Sequence, residues 1–175
     1  MARSDSFFIR ADLNAGGSTP TGFNTFFDTS IDLGAYVDAL GKSVLRIHNI
    51  AVSLTDTSGT SPEITGIEEA AAQFWLTTQQ QTAAILPSNR SVISSGNVLA
   101  SRTVTGNGLA ARQYEAFDNL PQLWTNGYLI AVDQMFLGGM ASEHWQGDVV
   151  WSVTMECTVE TMTQAAAMAL ALSQQ

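Results

Sequence analysis

The chain is short of charge. Asp, Glu, Lys and Arg make up only 13% of its 175 residues, about half the quarter found in ordinary soluble domains. Lysine is nearly missing: Lys42 stands alone beside Arg3, Arg10, Arg46, Arg90, Arg102 and Arg112, and these bases are scattered along the chain. Against 16 acids they leave a net charge of −9. Binding to phosphate needs clustered Lys and Arg, so direct contact with nucleic acid is not expected, nor is an anionic membrane surface. The single cysteine, Cys157, rules out an intramolecular disulfide framework and a Cys-based zinc site. It lies in an alternating apolar run and reads as a small buried hydrophobe. Long apolar runs are missing too. The longest, Ala165–Leu172, is eight residues, far below the roughly 20 that span a bilayer. Residues 1–8 are polar and charged and lack the apolar stretch of a signal peptide, so secretion by that route is not expected.

Neutral polar residues and alanine fill the gap: 16 Ser, 18 Thr, 11 Gln and 22 Ala. Hydrophobic residues are 45%, enough for one domain with a full-sized core. Much of the surface is therefore neutral, or else covered by something. An acidic balance with scarce lysine is what a high-salt environment favours; a GC-rich genome produces the same bias.

Alternation dominates the pattern. Ser6–Leu13 is β-rich and ends at the turn residues Asn14-Ala15-Gly16-Gly17. Ser43–Leu54 alternates imperfectly, with Val44, Ile47, Ile50, Val52 and Leu54 near one register and Leu45 off it. Residues 55–66 read as loop. Ala72–Thr78 reads as a strand with Phe74 and Leu76 on one face and Trp75 on the other. Ser91–Val104 reads as two short strands broken at Ser95-Gly96-Asn97, and Leu109–Phe117 is compatible with helix or strand. Gly127–Leu137 is the strongest buried-strand candidate, ended by Gly138-Gly139. Asp148–Glu160 alternates most cleanly, with Val149, Trp151, Val153, Met155, Cys157 and Val159 on one dry face. Thr163–Gln175 is helical by propensity, and its apolar stretch has no polar face, so it must bury itself on its own domain or on another chain. About eight strands separated by turns favour an antiparallel sandwich or jelly roll. Residues 1–162 form that single domain; residues 163–175 form an apolar tail expected to be an interface helix.

No constellation of residues identifies a chemistry. Gly106-Asn107-Gly108-Leu109-Ala110-Ala111 matches the G-x-G-x-x-A spacing of a dinucleotide fingerprint, with Asp133 placed as a ribose-binding acid. The strand before it is polar, however, and Asn119 and Pro121 cut the following helix short. His48 and His144 are far apart and outside any metal-binding spacing; His48 reads as a satisfied strand residue and His144 as a loop residue. Glu68-Glu69 reads as solvated charge, and nothing marks a nucleophile. Asn89-Arg90-Ser91 is a glycosylation sequon of a kind that arises often by chance. Among the tryptophans, Trp151 reads as core, and Trp124 and Trp145, which flank loops, as exposed anchors. No metal, no cofactor and no enzymatic activity are expected.

A disulfide-free β chain with an uncharged polar surface, no catalytic cluster and apolar material at its end resembles a viral coat protein. More narrowly, it resembles the small single jelly-roll capsid proteins of tailless icosahedral viruses with an internal membrane, such as those infecting halophilic archaea. The residues carrying the resemblance are Gly127–Leu137 and Asp148–Glu160, Leu120-Pro121-Gln122-Leu123-Trp124 before them, and Ser43–Leu54. The resemblance implies assembly in the host cytoplasm into a virion shell. The partners would be copies of the chain and other capsid proteins, close to an inner viral membrane but not touching the genome, with no small-molecule substrate. The candidate contact residues are Phe7, Phe8, Trp124, Trp145, Met168, Leu170 and Leu172. A second reading is a carbohydrate-binding β-sandwich, or a virion spike or receptor-binding module. A third is a cupin-like or nucleotide-dependent enzyme.

Overall fold

The computed structural model describes residues 5–38, 42–105, 108–116 and 120–175. The described residues form nine strands and one α-helix: β1 (Phe7–Asn14), β2 (Phe27–Asp32), β3 (Ser43–Asp56), β4 (Glu69–Thr77), β5 (Val92–Thr105), β6 (Gly108–Ala116), β7 (Tyr128–Ile130), β8 (Gln134–Ala141), β9 (Val149–Thr161) and α1 (Gln164–Ser173). A single 3-10 turn, Pro121–Leu123, precedes β7.

Two antiparallel sheets face each other, ordered β1-β9-β3-β7 and β2-β8-β4-β5-β6. With β6 set aside, the first strand pairs with the last, the second with the last but one, the third with β7, and β4 with β5. That wrapped ribbon is the jelly roll. β6 is an addition, hairpinned onto β5 with Thr105 opposite Gly108, so the second sheet is one strand wider than the first.

β9 forms the centre of the first sheet, paired with β1 on one side and β3 on the other. Val149, Trp151, Val153, Met155 and Cys157 are all buried, while the residues between them are partly exposed. They meet Phe74 and Leu76 of β4 and Met135 and Leu137 of β8 in one core. The imperfect alternation of β3 has a physical cause. Its register against β9 slips between Ile47 and Asn49, leaving His48 as the extra residue of a β-bulge. Leu45 and Ile47 before the bulge, and Ile50 and Leu54 after it, thereby all face the core. Leu45 is thus a core residue, and Val44 faces the opposite way, into a small cluster beneath α1.

Three readings of turn residues are corrected. Ser95-Gly96-Asn97 does not break β5; Gly96 sits opposite Phe74 within one continuous strand. Gly127–Leu137 is two strands in opposite sheets, β7 and β8, separated at Val132-Asp133. Gly138 and Gly139 lie inside β8 and do not end it. They are small because rings cover them: a Cβ on Gly138 would lie 2.4 Å from the Phe26 ring, and one on Gly139 2.9 Å from Trp151.

Polar side chains close the β7 flank of the first sheet. Gln174 is buried after the end of α1. Its amide accepts from the Ala131 N–H at 2.9 Å and donates to the Leu129 carbonyl, while its own backbone carbonyl accepts from the Thr78 hydroxyl. Gln122 does the same for β3: its amide exchanges two hydrogen bonds, 3.0 and 2.9 Å, with the N–H and C=O of Ile50. Each glutamine amide stands in for a peptide of a missing neighbouring strand.

Candidate functional site

The candidate contact residues do not form one surface. Phe7 lies on the inward side of β1, stacked on Tyr36 with ring centroids 4.7 Å apart, and is half-buried against the core. Phe8 points outward and is 55% exposed, with the Arg10 guanidinium over its ring. Trp124 is 39% exposed and tilts against Tyr128. Trp145 is not an exposed anchor. It is 1% exposed, its indole N–H donates to the Ala71 carbonyl, and its backbone bridges to Ile64 across two loops. Its place in a loop says nothing of where its ring points, and the neighbouring His144 turns the chain inward with a φ of 77°.

Helix α1 is apolar all round and divides its faces. Thr163 caps its N-terminus, accepting from the Ala166 N–H. Ala167 and Ala171 pack on Val44 and Ala131, with Leu170 partly buried beside them. Ala165, Met168, Ala169 and Leu172 face solvent at the i, i+3, i+4, i+7 spacing of a single stripe. The tail therefore docks on its own domain by one face and leaves Met168 and Leu172 uncovered. A cleft of about 380 Å³ separates α1 from residues 126–129, with Arg46 and Arg90 at its rim. Arg46 is engaged already: its guanidinium donates to both Glu160 oxygens, one at 2.9 Å, and to the Asn126 carbonyl. This pairing holds the Glu160 carboxyl below its usual range.

Other exposed apolar residues were not singled out in the sequence. Leu99 and Tyr114 are directly opposite on β5 and β6 and are 48% and 64% exposed. Reading β5 as two strands hid the face that Leu99 shares with Tyr114.

The decoy motifs resolve into structure. Gly108–Ala111 belongs to β6, a strand where the dinucleotide motif requires a helix; Gly106 and Asn107 lie outside the described residues. His48 Nε2 shares a 2.9 Å hydrogen bond with the Thr158 hydroxyl, and His144 Nδ1 donates to the Glu69 carbonyl. Asn89 is tied into a local turn, its side-chain oxygen accepting from the Ser91 N–H and hydroxyl. Among the described residues, no group of three His, Cys, Asp or Glu side chains could hold a metal ion, and no helix is long and apolar enough to cross a membrane.

Cys157 is fully buried in β9, and burial pushes its thiol up to about 12, against roughly 8.5 for a free thiol. The thiolate is the reactive form, so the native protein is expected to stay unlabelled by a disulfide reagent at pH 8 and to label fully in guanidinium. Folding keeps this thiol protonated, so its contribution to stability is present below the unfolded-state pKa and is lost as pH climbs toward 12. Labelling of the native state at the unfolded rate would contradict the burial.

No protein-family model matches the chain, and no curated protein matches it. Among solved structures it is similar to VP1 of Trichodysplasia spinulosa-associated polyomavirus in complex with sialylated precision glycooligomers (8% identity, TM-score 0.41, covering 91% of this chain and 98% of that one). It is also similar to Merkel cell polyomavirus VP1 in complex with disialyllactose (9%, 0.40, 92% and 97%) and to the unassembled pentamer of the same VP1 (9%, 0.40, 92% and 98%). The jelly roll itself is read from the strand order of this chain.

Proposed function

We propose that the chain is a virion coat subunit, a single jelly roll that self-assembles into an icosahedral shell through contacts between barrels, with no catalytic role. The observation that carries this is the surface. Phe8, Leu99, Tyr114, Leu123, Trp124, Met168 and Leu172 stand exposed on a chain with half the usual charge. Apolar groups spread over several faces suit a subunit with several neighbours, and neutral Ser, Thr and Gln make contacts without the cost of burying charge. The finer reading is a shell of the kind found around an inner membrane in viruses of halophilic hosts, where the acidic, lysine-poor composition suits high salt and the scattered bases suit a shell that does not touch its genome.

The test is the size of the purified chain, by light scattering and negative-stain imaging from low to molar salt. Particles far larger than the 18.7 kDa monomer, growing with protein or salt concentration, are expected. A monodisperse monomer under every condition would sink the reading. A glycan-binding module is the second reading, favoured by one observation: Trp124 is the exposed member of four tryptophans and lies beside Tyr128. It predicts a shift in tryptophan fluorescence on adding glycans to a monomer.

A further inference from the structure

The four strands that end the sheets are not alike. β7 is closed by the Gln174 amide, with the Gln122 amide covering β3 beyond it. β1 and β2 lie side by side on one flank and share a groove of about 490 Å³ lined by Ile9, Ala11, Ile31 and Tyr36 among others. Among the described residues β6 has no such neighbour. It is the extra strand of the wider sheet, and its described side chains Gln113, Tyr114 and Glu115 are all exposed although they alternate between the two faces. Among the described residues nothing covers either face of β6 at residues 113–115 and no strand pairs with its outer edge, which presents a row of peptide groups ready to pair.

We propose that β6 is a subunit contact, pairing antiparallel with β6 of a second copy about a two-fold axis at Tyr114, so that two five-stranded sheets become one. This deepens the coat-subunit reading and rests on it for the identity of the occupant. The residues of β6 complement themselves. In an antiparallel pair, opposite residues share a face, so with Tyr114 opposite Tyr114, Gln113 meets Glu115 of the other copy, and the reverse. Within one chain the Gln113 amide already donates to the Glu115 carboxylate at 2.9 Å; the same donor and acceptor would be exchanged across the join. Centring the axis on Glu115 would instead set two carboxylates opposite each other. On the outer face the two Leu99–Tyr114 pairs would abut as one apolar strip. The contact is isologous, as a two-fold requires. With the axis at Tyr114 the strand overlaps its copy over residues 112–116, roughly 17 Å at about 3.3 Å per residue, a small contact of the kind that gains strength by repetition around a shell.

The test is a Tyr114→Cys variant of the full chain under mild oxidation. Across the axis the two Cα atoms would lie about 4.5–5.5 Å apart, inside the disulfide range of about 4.4–6.8 Å. The native Cys157 is buried and does not compete. Leu86→Cys, at a 74% exposed loop position, measures the background from chance collision. Most of the Tyr114→Cys chain is expected as a covalent dimer, against a small minority of Leu86→Cys. If the chain assembles by light scattering but Tyr114→Cys crosslinks no better than Leu86→Cys, the β6 contact is wrong and the coat reading survives. If Tyr114→Cys crosslinks selectively but the unsubstituted chain never grows beyond dimers, the contact stands and the shell reading falls. A monomer without selective crosslinking overturns both.

Discussion

Gly127→Ala is expected to be among the most damaging single substitutions, costing about 3–5 kcal/mol, the range reached only through a specific structural fault. Gly127 begins the approach to β7 with a φ of +63°, and a Cβ there would sit 2.2 Å from the Ile47 carbonyl oxygen. That oxygen belongs to β3 just before its bulge, where β3 is held by β9 on one side and β7 on the other, so it has no room to retreat. The left-handed backbone adds roughly 1–2 kcal/mol for any residue with a side chain. Gly59→Ala separates the two effects. Gly59 has a φ of +80° with nothing within 4 Å of its would-be Cβ, so it should lose only the conformational part. In thermal melts, where about 1 kcal/mol is worth 2–4 °C for a chain of this size, Gly127→Ala should fall by roughly 10 °C and Gly59→Ala by a few degrees. Equal losses would mean that β7 does not approach β3 as closely as described.

The second large effect is expected at Gln174. Gln174→Leu keeps the bulk and the helix but removes the amide that serves the Ala131 N–H and the Leu129 carbonyl. Orphaned buried groups cost about 1–3 kcal/mol each, so a total of about 2–4 kcal/mol is expected in the denaturant midpoint. Removing the whole tail after Thr163 acts differently. It strips the cover from Val44 and Ala131 but opens the same backbone groups to water, which replaces the amide. The truncated chain is therefore expected to keep a folded β domain of reduced stability, and a change in its assembly must be measured at a temperature where it is folded. A Gln174→Leu protein within about 0.5 kcal/mol of the parent, the range of ordinary surface changes, would show that the amide holds nothing.

Where one face of a strand is dry and the other wetter over most of its length, as in β9 from Val149 to Cys157, the sequence pattern was enough. Trp151 and Cys157 lie inside as their alternation requires. Reading failed where a residue served tertiary packing in place of local structure. Gly138 and Gly139 look like a turn, but their missing side chains make room for Phe26 and Trp151, rings distant in sequence. Ser95-Gly96-Asn97 has turn composition but is held straight by β4. β3 looked irregular because the bulge at His48 shifts the period by one, which no local pattern announces. β6 fitted helix or strand equally, and pairing with β5 decides it.

The exposed apolar residues were legible only in part. Met168 and Leu172 follow from a helix with too many apolar faces for one docking surface, and Phe8 from its position opposite the core side of β1. The exposed Leu99–Tyr114 pair required the β5–β6 register, and the burial of Trp145 required the β4 carbonyl to which it donates.

The glutamine amides that close the first sheet have a consequence for the conditions the protein can endure. Many edge strands are guarded by lysines, whose repulsion fades as salt shortens the Debye length from about 10 Å at 0.1 M to about 3 Å at 1 M. Gln122 and Gln174 carry no charge, so their grip on Ile50, Leu129 and Ala131 is not screened by salt. Fibril-like edge growth from this flank should stay suppressed in media where a charge-guarded sheet would begin to stack.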